Sequence, residues 1–298
     1  MKILLFGMNG QVGWELQRAL APLGELVALA RDSTEHPADF VRPAALAATV
    51  RALRPDVIVN AVAYTAVDKA ESEPALAAAL NAEAPRVLAT EAAVSGAWLV
   101  HYSSDYVFDG SGSEPRAEDA ATGPLSVYGR TKLEGEQHIR ASGCRHLILR
   151  SSWLYAARGG NFARTMLKLA AERDALKVID DQFGAPTGAD LLADVTAHAL
   201  RGVLDAPSLA GTYHVAASGE TTWHRYATLV IEWARAHGLP VRVAPDAVRA
   251  VPTSEFPTPA RRPLNSRLAT GKLRAAFGLT LPPWQPGVLR MLTEVTQR

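Results

Sequence analysis

The chain has 298 residues, of which 48% are hydrophobic and 20% are charged, which fits one large globular α/β domain or two unequal ones. Its formal net charge of +1 gives no electrostatic argument for a nucleic-acid partner or an anionic membrane surface. The single cysteine, Cys144, excludes an internal disulfide. No apolar run reaches the roughly 20 residues that span a bilayer, and a strand begins at residue 2. We therefore expect a cytoplasmic protein without a membrane span or signal peptide.

Short apolar strands alternate with Ala-rich helical stretches through the first half of the chain. The predicted strands are Ile3–Phe6, Leu26–Leu29, Val57–Asn60, Trp98–Ser103 and His146–Arg150. The predicted helices between them are Val12–Ala21, Pro43–Arg54, Pro74–Ser95 and Ser126–Ser142. Strands without in–out alternation, separated by helices of this length, indicate a doubly wound parallel sheet covered on both faces.

The pattern changes after residue 151, where we place the boundary to a smaller C-terminal lobe, residues 152–298. Its predicted elements are helices Asn161–Glu172, Gly188–Val203 and Trp223–His237 and strands Leu176–Ile179 and Thr212–Val215. Residues 188–217 could return to the main sheet. Proline becomes dense from 240 to 286, which suits an irregular, substrate-binding lobe, and Val251–Pro263 is either a linker or, as we favour, an ordered loop.

Three glycines follow the first strand and lead into the first helix, at Gly7, Gly10 and Gly13. A dinucleotide pyrophosphate needs this order, because it binds at a tight turn, close to the backbone, facing a helix N-terminus. A βα turn without a ligand uses glycines as well. Combined with the alternating strands, the turn predicts a Rossmann-type, NAD(P)-binding domain over residues 1–151.

Cofactor preference is expected to depend on the segment after the second strand, where Arg31 and Asp32 follow Ala30. An arginine suits the 2′-phosphate of NADPH, and an acid suits the free ribose of NADH, so both remain open with NADPH favoured. Further candidate contacts are the adenine-binding pair Asp39 and Phe40 and the small residues after the third strand, Ala61, Ala63 and Thr65.

A second set of residues carries the candidate chemistry. Ser104 and Asp105 fall where the fourth strand ends, and ligands of open α/β sheets bind beyond such ends. Tyr128 and Lys132 share a helix face, where the ammonium is expected to lower the pKa of the phenol. A strand-end serine or a helical tyrosine can be merely structural, but their order after a glycine turn favours catalysis, with Ser104 binding a carbonyl that Tyr128 protonates. His101, within the strand, is predicted to be a hydrogen-bonded core histidine.

These residues resemble the extended short-chain dehydrogenase/reductase family over nearly the whole chain, and within it the members that act on dTDP-linked sugars. The segments that carry the resemblance are Ala63–Glu71, Ser104–Gly110, Tyr128–Gly135, Arg150–Trp153, Gly160–Phe162, Asp181–Thr187 and Arg262–Arg267. The resemblance implies an NAD(P)H-dependent oxidoreductase that reduces the C4 keto group of dTDP-4-dehydro-L-rhamnose to dTDP-L-rhamnose, in dTDP-rhamnose biosynthesis.

The resemblance also implies residue roles. Tyr128 donates the proton, and Lys132 holds the nicotinamide ribose. The residues implied to contact the cofactor diphosphate are Gly7, Gly10, Gln11, Val12 and Gly13, and those on its adenosine and ribose side are Asp39, Phe40, Ala63 and Thr65. The residues implied to contact the dTDP-sugar are Ser104, Asp105 and Trp153, to which we add Arg262 for its diphosphate. Ser104 stands where the family often has threonine, which keeps the hydroxyl.

Some members of the family form a homodimer bridged by Mg²⁺. The carboxylates that this implies here are Glu15, Asp190 and Glu294.

Two other functions are compatible with the same motifs. One is an NAD-retaining sugar-nucleotide epimerase or dehydratase, although Tyr106 occupies the place of the second acid that a dehydratase needs. The other is a non-catalytic subunit like the beta subunit of methionine adenosyltransferase, which intact Ser104, Tyr128 and Lys132 disfavour.

Overall fold

The computed structural model describes residues 1–297, and within that range it has twelve strands and eleven α-helices. The strands are β1 (Lys2–Phe6), β2 (Glu25–Leu29), β3 (Val57–Asn60), β4 (Trp98–Ser104), β5 (His146–Ser151), β6 (Leu154–Tyr155), β7 (Leu176–Ile179), β8 (Phe183–Gly184), β9 (Thr187–Gly188), β10 (Gly211–His214), β11 (Thr221–Thr222) and β12 (Val248–Val251). The helices are α1 (Gln11–Leu20), α2 (Pro43–Leu53), α3 (Val67–Ala70), α4 (Pro74–Ala78), α5 (Ala84–Ser95), α6 (Val127–Ala141), α7 (Phe162–Glu172), α8 (Ala189–Asp205), α9 (Trp223–Ala236), α10 (Gly271–Phe277) and α11 (Trp284–Thr296).

Six strands form one parallel sheet in the order β10-β5-β4-β3-β1-β2. The predicted doubly wound α/β fold is therefore confirmed, and β10 lies at the sheet edge beside β5. The strand order changes direction between β1 and β3, where Phe6 lies opposite Asn60. A ligand site is expected in the crevice beyond the carboxyl ends of strands at such a point.

The sheet has a hydrophobic core on each face, because successive side chains of a strand point to opposite sides. On one face Leu5 and Val100 pack with α1 and α8, through residues such as Leu16 and Leu192. On the other face Leu4 and Leu99 pack with α2 and α5, through residues such as Leu46 and Leu88. All eight are fully buried, so both faces are covered, as the near-continuous apolar strands predict.

The remaining elements surround a third core, formed by α7, α9 and α11. Its buried members include Tyr155, Met166, Tyr226, Trp284 and Val288. Short strand pairs border it, namely β7 with β12, β8 with β11 and β6 with β9. In residues 1–297 no helix combines the length and apolar character that crossing a bilayer requires.

Two sequence predictions need correction. The single helix predicted over Pro74–Ser95 is divided by a wider turn at Ala79–Glu83, because Pro85 has no N–H to continue the helical hydrogen bonds. The proline-dense region was predicted to be irregular, yet α11 begins there at Trp284. Pro286 lies in the first turn of α11, where a missing N–H costs nothing.

Candidate active site

The glycine turn joins β1 to α1 and leaves the start of that helix without a side-chain cap. Gly7 has a φ of +89°, which favours glycine. Gly10 is the N-cap residue, with extended backbone and no side-chain hydrogen bond to the helix. A Cβ at Gly13 would collide with the carbonyl oxygen of Gly7. The turn therefore has room only for small residues, and its backbone N–H groups suit an anionic phosphate.

The predicted adenosine side lies next to this turn. Phe40 is buried and packs edge-to-face on Phe6, with ring centroids 5.5 Å apart, so only its backbone is available to a ligand. Arg31 is 81% exposed, and its Nε lies 3.6 Å from Asp39 Oδ1. Asp39 Oδ1 also accepts the backbone N–H of Val41 at 3.3 Å. The guanidinium of Arg31 and the carboxylate of Asp39 therefore lie side by side where the adenosine ribose is expected.

The end of β4 and the start of α6 bring the candidate catalytic residues together. Ser104 ends β4, accepts the N–H of Tyr106 at 3.2 Å and donates its hydroxyl to Asp105 Oδ1 at 2.8 Å. Ser126 caps α6 by accepting the N–H of Gly129 at 3.2 Å. Tyr128 lies in the first turn of α6 and interacts with the side chain of Ser104.

The helix packs closely because its glycines leave room. A Cβ at Gly129 would collide with the carbonyl oxygen of Tyr106, and one at Gly135 with that of Asn81. The second carbonyl lies in the wide turn before α5, next to the Asn81 side chain that donates to Thr131 Oγ1 at 3.1 Å. These contacts fix the position of the helix that carries Tyr128 and Lys132.

The phenol of Tyr128 keeps its proton at neutral pH in this structure. Burial raises its pKa to about 12, the interaction with Ser104 lowers it, and the charge of Asp105 raises it. The sequence-based expectation that Lys132 lowers this pKa is therefore wrong for the protein alone, since burial outweighs the other influences. Tyr128 keeps part of its surface exposed and remains protonated at neutral pH, as a general acid must.

The amine of Lys132 is only 2% exposed and is held from two sides. Its Nζ donates to the carbonyl oxygen of Tyr102 at 2.6 Å and lies 3.3 Å from His101 Nε2. Burial lowers the pKa of Lys132 to about 8, while the carboxylate of Glu136 acts in the opposite direction. Lys132 is therefore a weaker base than a solvent-exposed lysine.

His101 is a buried, hydrogen-bonded histidine, as the sequence predicts, but its contact with Lys132 was not expected. Its ring is fully buried, and its Nδ1 lies 3.1 Å from Asn60 Nδ2. The register of the sheet, which places Asn60 opposite His101 as polar residues in two apolar strands, could have indicated the Asn60 contact, but it gives no sign of the Lys132 contact.

The predicted substrate residues lie beyond Ser104. Asp105 is 2% exposed, and in residues 1–297 its Oδ2 has no hydrogen-bond partner. Burial raises the pKa of Asp105 to about 6, against the lowering effect of hydrogen bonds from Ser266 and Ser104. Trp153 has a φ of +49° and stacks on Trp223, with ring centroids 3.7 Å apart.

The guanidinium of Arg262 is already paired with a carboxylate of the protein in this structure. Its Nη1 and Nη2 donate to the two oxygens of Asp68 at 3.0 and 2.8 Å. The predicted role of Arg262 in binding a diphosphate therefore requires that it exchange or share this partner, and it stays a prediction.

The predicted Mg²⁺ site is not supported. The pKa of Glu15 is raised, first by burial, then by the charge of Asp190, and further by the charge of Glu294. However, Arg18 lies 3.7 Å from Glu15, and Arg290 lies 3.5 Å from Asp190. Across residues 1–297 no group of three or more His, Cys, Asp or Glu side chains could hold a metal ion.

Comparison with known proteins identifies the family. The family model described as RmlD substrate binding domain matches residues 1–297. The dTDP-4-dehydrorhamnose reductase of Escherichia coli (strain K12) is 58% identical over 295 residues, which cover 99% of this chain and 98% of that protein. The structure of the dTDP-4-dehydrorhamnose reductase from Clostridium acetobutylicum is 35% identical with a TM-score of 0.88, covering 98% of this chain and 99% of that one. The Bacillus anthracis enzyme, solved in complex with NADP, is 33% identical with a TM-score of 0.86 and the same coverage. The chain belongs to the dTDP-4-dehydrorhamnose reductase family.

Proposed function

We propose that this protein reduces the C4 keto group of dTDP-4-dehydro-L-rhamnose to give dTDP-L-rhamnose, with NAD(P)H as the reductant. The observation that carries the proposal is the meeting of Ser104, Tyr128 and Lys132 at the carboxyl edge of the sheet, on the same edge as the glycine turn. The names of the relatives agree with it, and the Bacillus anthracis relative binds NADP.

The residues of the glycine turn fit a dinucleotide. The uncapped N–H groups of Gln11, Val12 and Gly13 would bind the diphosphate, and the turn has no space for larger side chains. The adenosine and ribose would lie along Arg31, Asp39, the backbone of Phe40 and the segment that includes Ala61, Ala63 and Thr65. When bound, the nicotinamide supplies the hydride that the C4 carbon receives.

The side chains supply the proton and stabilise charge on the carbonyl oxygen. The Ser104 hydroxyl turns from Asp105 to donate a hydrogen bond to that oxygen. Tyr128 then transfers its phenolic proton to the same oxygen as negative charge develops there. The ammonium form of Lys132 adds positive charge beside the phenol. Positioned proton transfer contributes about 10²–10⁴-fold in rate.

The preference between NADPH and NADH is part of the proposal. The exposed guanidinium of Arg31 favours NADPH, because arginine binds phosphate oxygens through paired hydrogen bonds. Asp39 offers a carboxylate to free ribose hydroxyls at the same place. We therefore infer that both cofactors are accepted and that NADPH binds more tightly.

The sugar nucleotide would bind beyond Asp105 and Trp153. A cavity of about 260 Å³ lies there, and Ser266, which interacts with Asp105, forms part of its wall together with Ser152 and Arg267. We assign residues 1–151 to the cofactor-binding domain and most of 152–298 to the substrate lobe, with β10 completing the main sheet.

A cytoplasmic location is part of the same proposal, because NAD(P)H and nucleotide sugars are cytoplasmic metabolites. A homodimer stays a prediction.

An assay with enzymatically prepared dTDP-4-dehydrorhamnose tests the proposal. NADPH and NADH are supplied in parallel, and the loss of reduced nicotinamide absorbance is followed alongside the formation of dTDP-rhamnose. We expect one reduced cofactor to be consumed for each product molecule. Turnover of a dTDP-sugar without net consumption would indicate an epimerase or dehydratase instead. Absence of any turnover, together with capture of a synthetase partner, would indicate a non-catalytic subunit.

A further inference from the structure

A continuous chain of polar contacts runs from the end of β3 to the amine of Lys132. The N–H of Val62 donates to Asn60 Oδ1 at 3.0 Å, and Asn60 Nδ2 lies 3.1 Å from His101 Nδ1. On the other side of the ring, His101 Nε2 lies 3.3 Å from Lys132 Nζ, which donates to the Tyr102 carbonyl at 2.6 Å. Asn60, His101 and Lys132 are each at most 2% exposed, so water does not replace these contacts.

The direction of each hydrogen bond follows from the first one. A backbone N–H can only donate, so the Val62 amide requires the oxygen of Asn60 on its side. The Asn60 amine must then face His101 and donate to Nδ1. A neutral imidazole that accepts at Nδ1 carries its proton on Nε2. Protonating Nδ1 as well would set two donors against each other, and burial and Lys132 both lower the pKa of His101.

The Nε2 proton therefore points at Lys132. A neutral amine can accept this proton through its lone pair while it donates to the Tyr102 carbonyl. An ammonium has no lone pair, so it would face the imidazole N–H as donor against donor. The contacts are all satisfied only when Lys132 is neutral.

We propose that His101, held in one tautomer by Asn60, is a positioning residue that weakens the proton affinity of Lys132. Lys132 then takes up and releases a proton near neutral pH instead of staying a permanent ammonium beside Tyr128. The kinetic meaning of this tuning rests on the proposed reduction, but the proton affinity itself can be measured in the protein without substrate.

Other charges around Lys132 do not account for a weaker proton affinity. The carboxylate of Glu136, on α6, favours the ammonium and is itself paired with Arg150 on β5. Tyr128, also on α6, is neutral at the pH in question. The carboxylates on the neighbouring segments have partners of their own: Asp68 with Arg262, Glu73 with Lys69 and Tyr64, Glu83 with Arg86, Glu71 with the N–H of Val127, and Asp105 with the hydroxyl of Ser104. Burial and the imidazole N–H of His101 are the influences that disfavour the charged form of Lys132.

Nuclear magnetic resonance of the lysine side chains tests the proposal directly. The chain has six lysines, and with ¹³C at the ε-carbon the Lys132 signal is identified by its loss in Lys132→Arg. We expect its midpoint near pH 8 in the parent protein. In His101→Gln an amide oxygen can accept from the ammonium, so the midpoint should rise by about one pH unit. In Asn60→Ala the imidazole can move its proton to Nδ1 and accept at Nε2, so the midpoint should also rise.

The matched control is His214→Gln, because His214 is equally buried on β10 and contacts Arg150 rather than Lys132. The Lys132 midpoint should not change in this variant. Thermal melting and cofactor affinity show which variants are folded. An unchanged or lower midpoint in a folded His101→Gln or Asn60→Ala protein would overturn the proposal. Loss of turnover with an unchanged midpoint would mean that these residues have only a structural role, whereas a raised midpoint in a protein without reductase activity would sink only the proposed function.

Discussion

Arg150 and Glu136 form a buried ion pair in which guanidinium Nε and Nη2 donate to the two carboxylate oxygens at 2.8 and 2.6 Å. The side chains are 2% and 0% exposed, and the pair joins β5 to α6 one turn after Lys132. Burial alone would raise the pKa of Glu136, but the hydrogen bonds and charge of Arg150, with help from Arg140, hold this pKa below its ordinary value. The helix that carries Tyr128 and Lys132 is thus fixed to the sheet by a charge contact.

Replacing this carboxylate should destabilise the fold strongly. Glu136→Gln leaves Arg150 buried without a counter-charge, and we expect a loss of about 3–5 kcal/mol in the free energy of unfolding. Urea denaturation at neutral pH measures it. Because the pKa of Glu136 is lowered, its contribution is present at neutral pH and disappears as acid protonates the folded carboxylate. The matched control is Glu83→Gln, whose partner Arg86 is exposed, and it should cost at most about 1 kcal/mol. Equal losses in the two variants would contradict the prediction.

A methyl group at Gly13 should strongly weaken cofactor binding while leaving most of the fold intact. The added Cβ collides with the Gly7 carbonyl and must push the turn out of the shape that receives a diphosphate. Calorimetric titration with NADPH and NADH should show a loss of at least tenfold in affinity for both. Gly271→Ala is the control, since no atom lies within 4 Å of its Cβ position. Unchanged affinity in Gly13→Ala would exclude the turn as the binding site.

Removal of the phenolic hydroxyl of Tyr128 should reduce turnover without weakening cofactor binding. In Tyr128→Phe the proton donor is absent, and we expect kcat to fall by about 10²–10⁴-fold. Lys132→Ala should also lose most of its turnover. Tyr213→Phe removes a hydroxyl that bonds only the Leu209 carbonyl, so its kcat should stay at the parent value. Near-parent kcat in both Tyr128→Phe and Lys132→Ala would rule out the proposed chemistry.

The buried carboxyl of Asp105 should lower stability near neutral pH. Its pKa is raised from 3.8 to about 6, so the folded protein holds a proton that the unfolded chain releases between these values. Stability from this group is therefore full below pH 3.8 and falls as the pH rises to about 6. Asp105→Asn should be more stable than the parent by up to about 3 kcal/mol at pH 7, with a smaller difference at pH 4. Urea denaturation at both pH values measures this, and a difference independent of pH would contradict it.

The sequence predicted the sheet well because its strands are short, apolar and buried. In the main sheet, β3 begins and ends at the predicted residues, Val57–Asn60. The sequence analysis missed helix α11 because the prolines at 282, 283 and 286 are typical of a loop rather than of a helix. Its apolar face, which includes Val288 and Leu292, can be recognised only when the third core, on which it packs, is known.

Which candidate residues lie close together could be inferred from the sequence, but their electrostatics could not. Spacing places Tyr128 and Lys132 on one helix face, yet spacing carries no information about burial. The structure reverses the expected pKa direction of the phenol because desolvation dominates there. The contact between His101 and Lys132 depends on how α6 packs on β4, which no local pattern contains.

One strand, β4, supplies two groups of the candidate site. The Tyr102 carbonyl anchors the amine of Lys132, and Ser104 follows two residues later on β4. Trp153 lies on a different segment, stacked against the third core through Trp223. A shift of the segment that holds Trp153 would therefore leave the spacing between the amine of Lys132 and the hydroxyl of Ser104 unchanged.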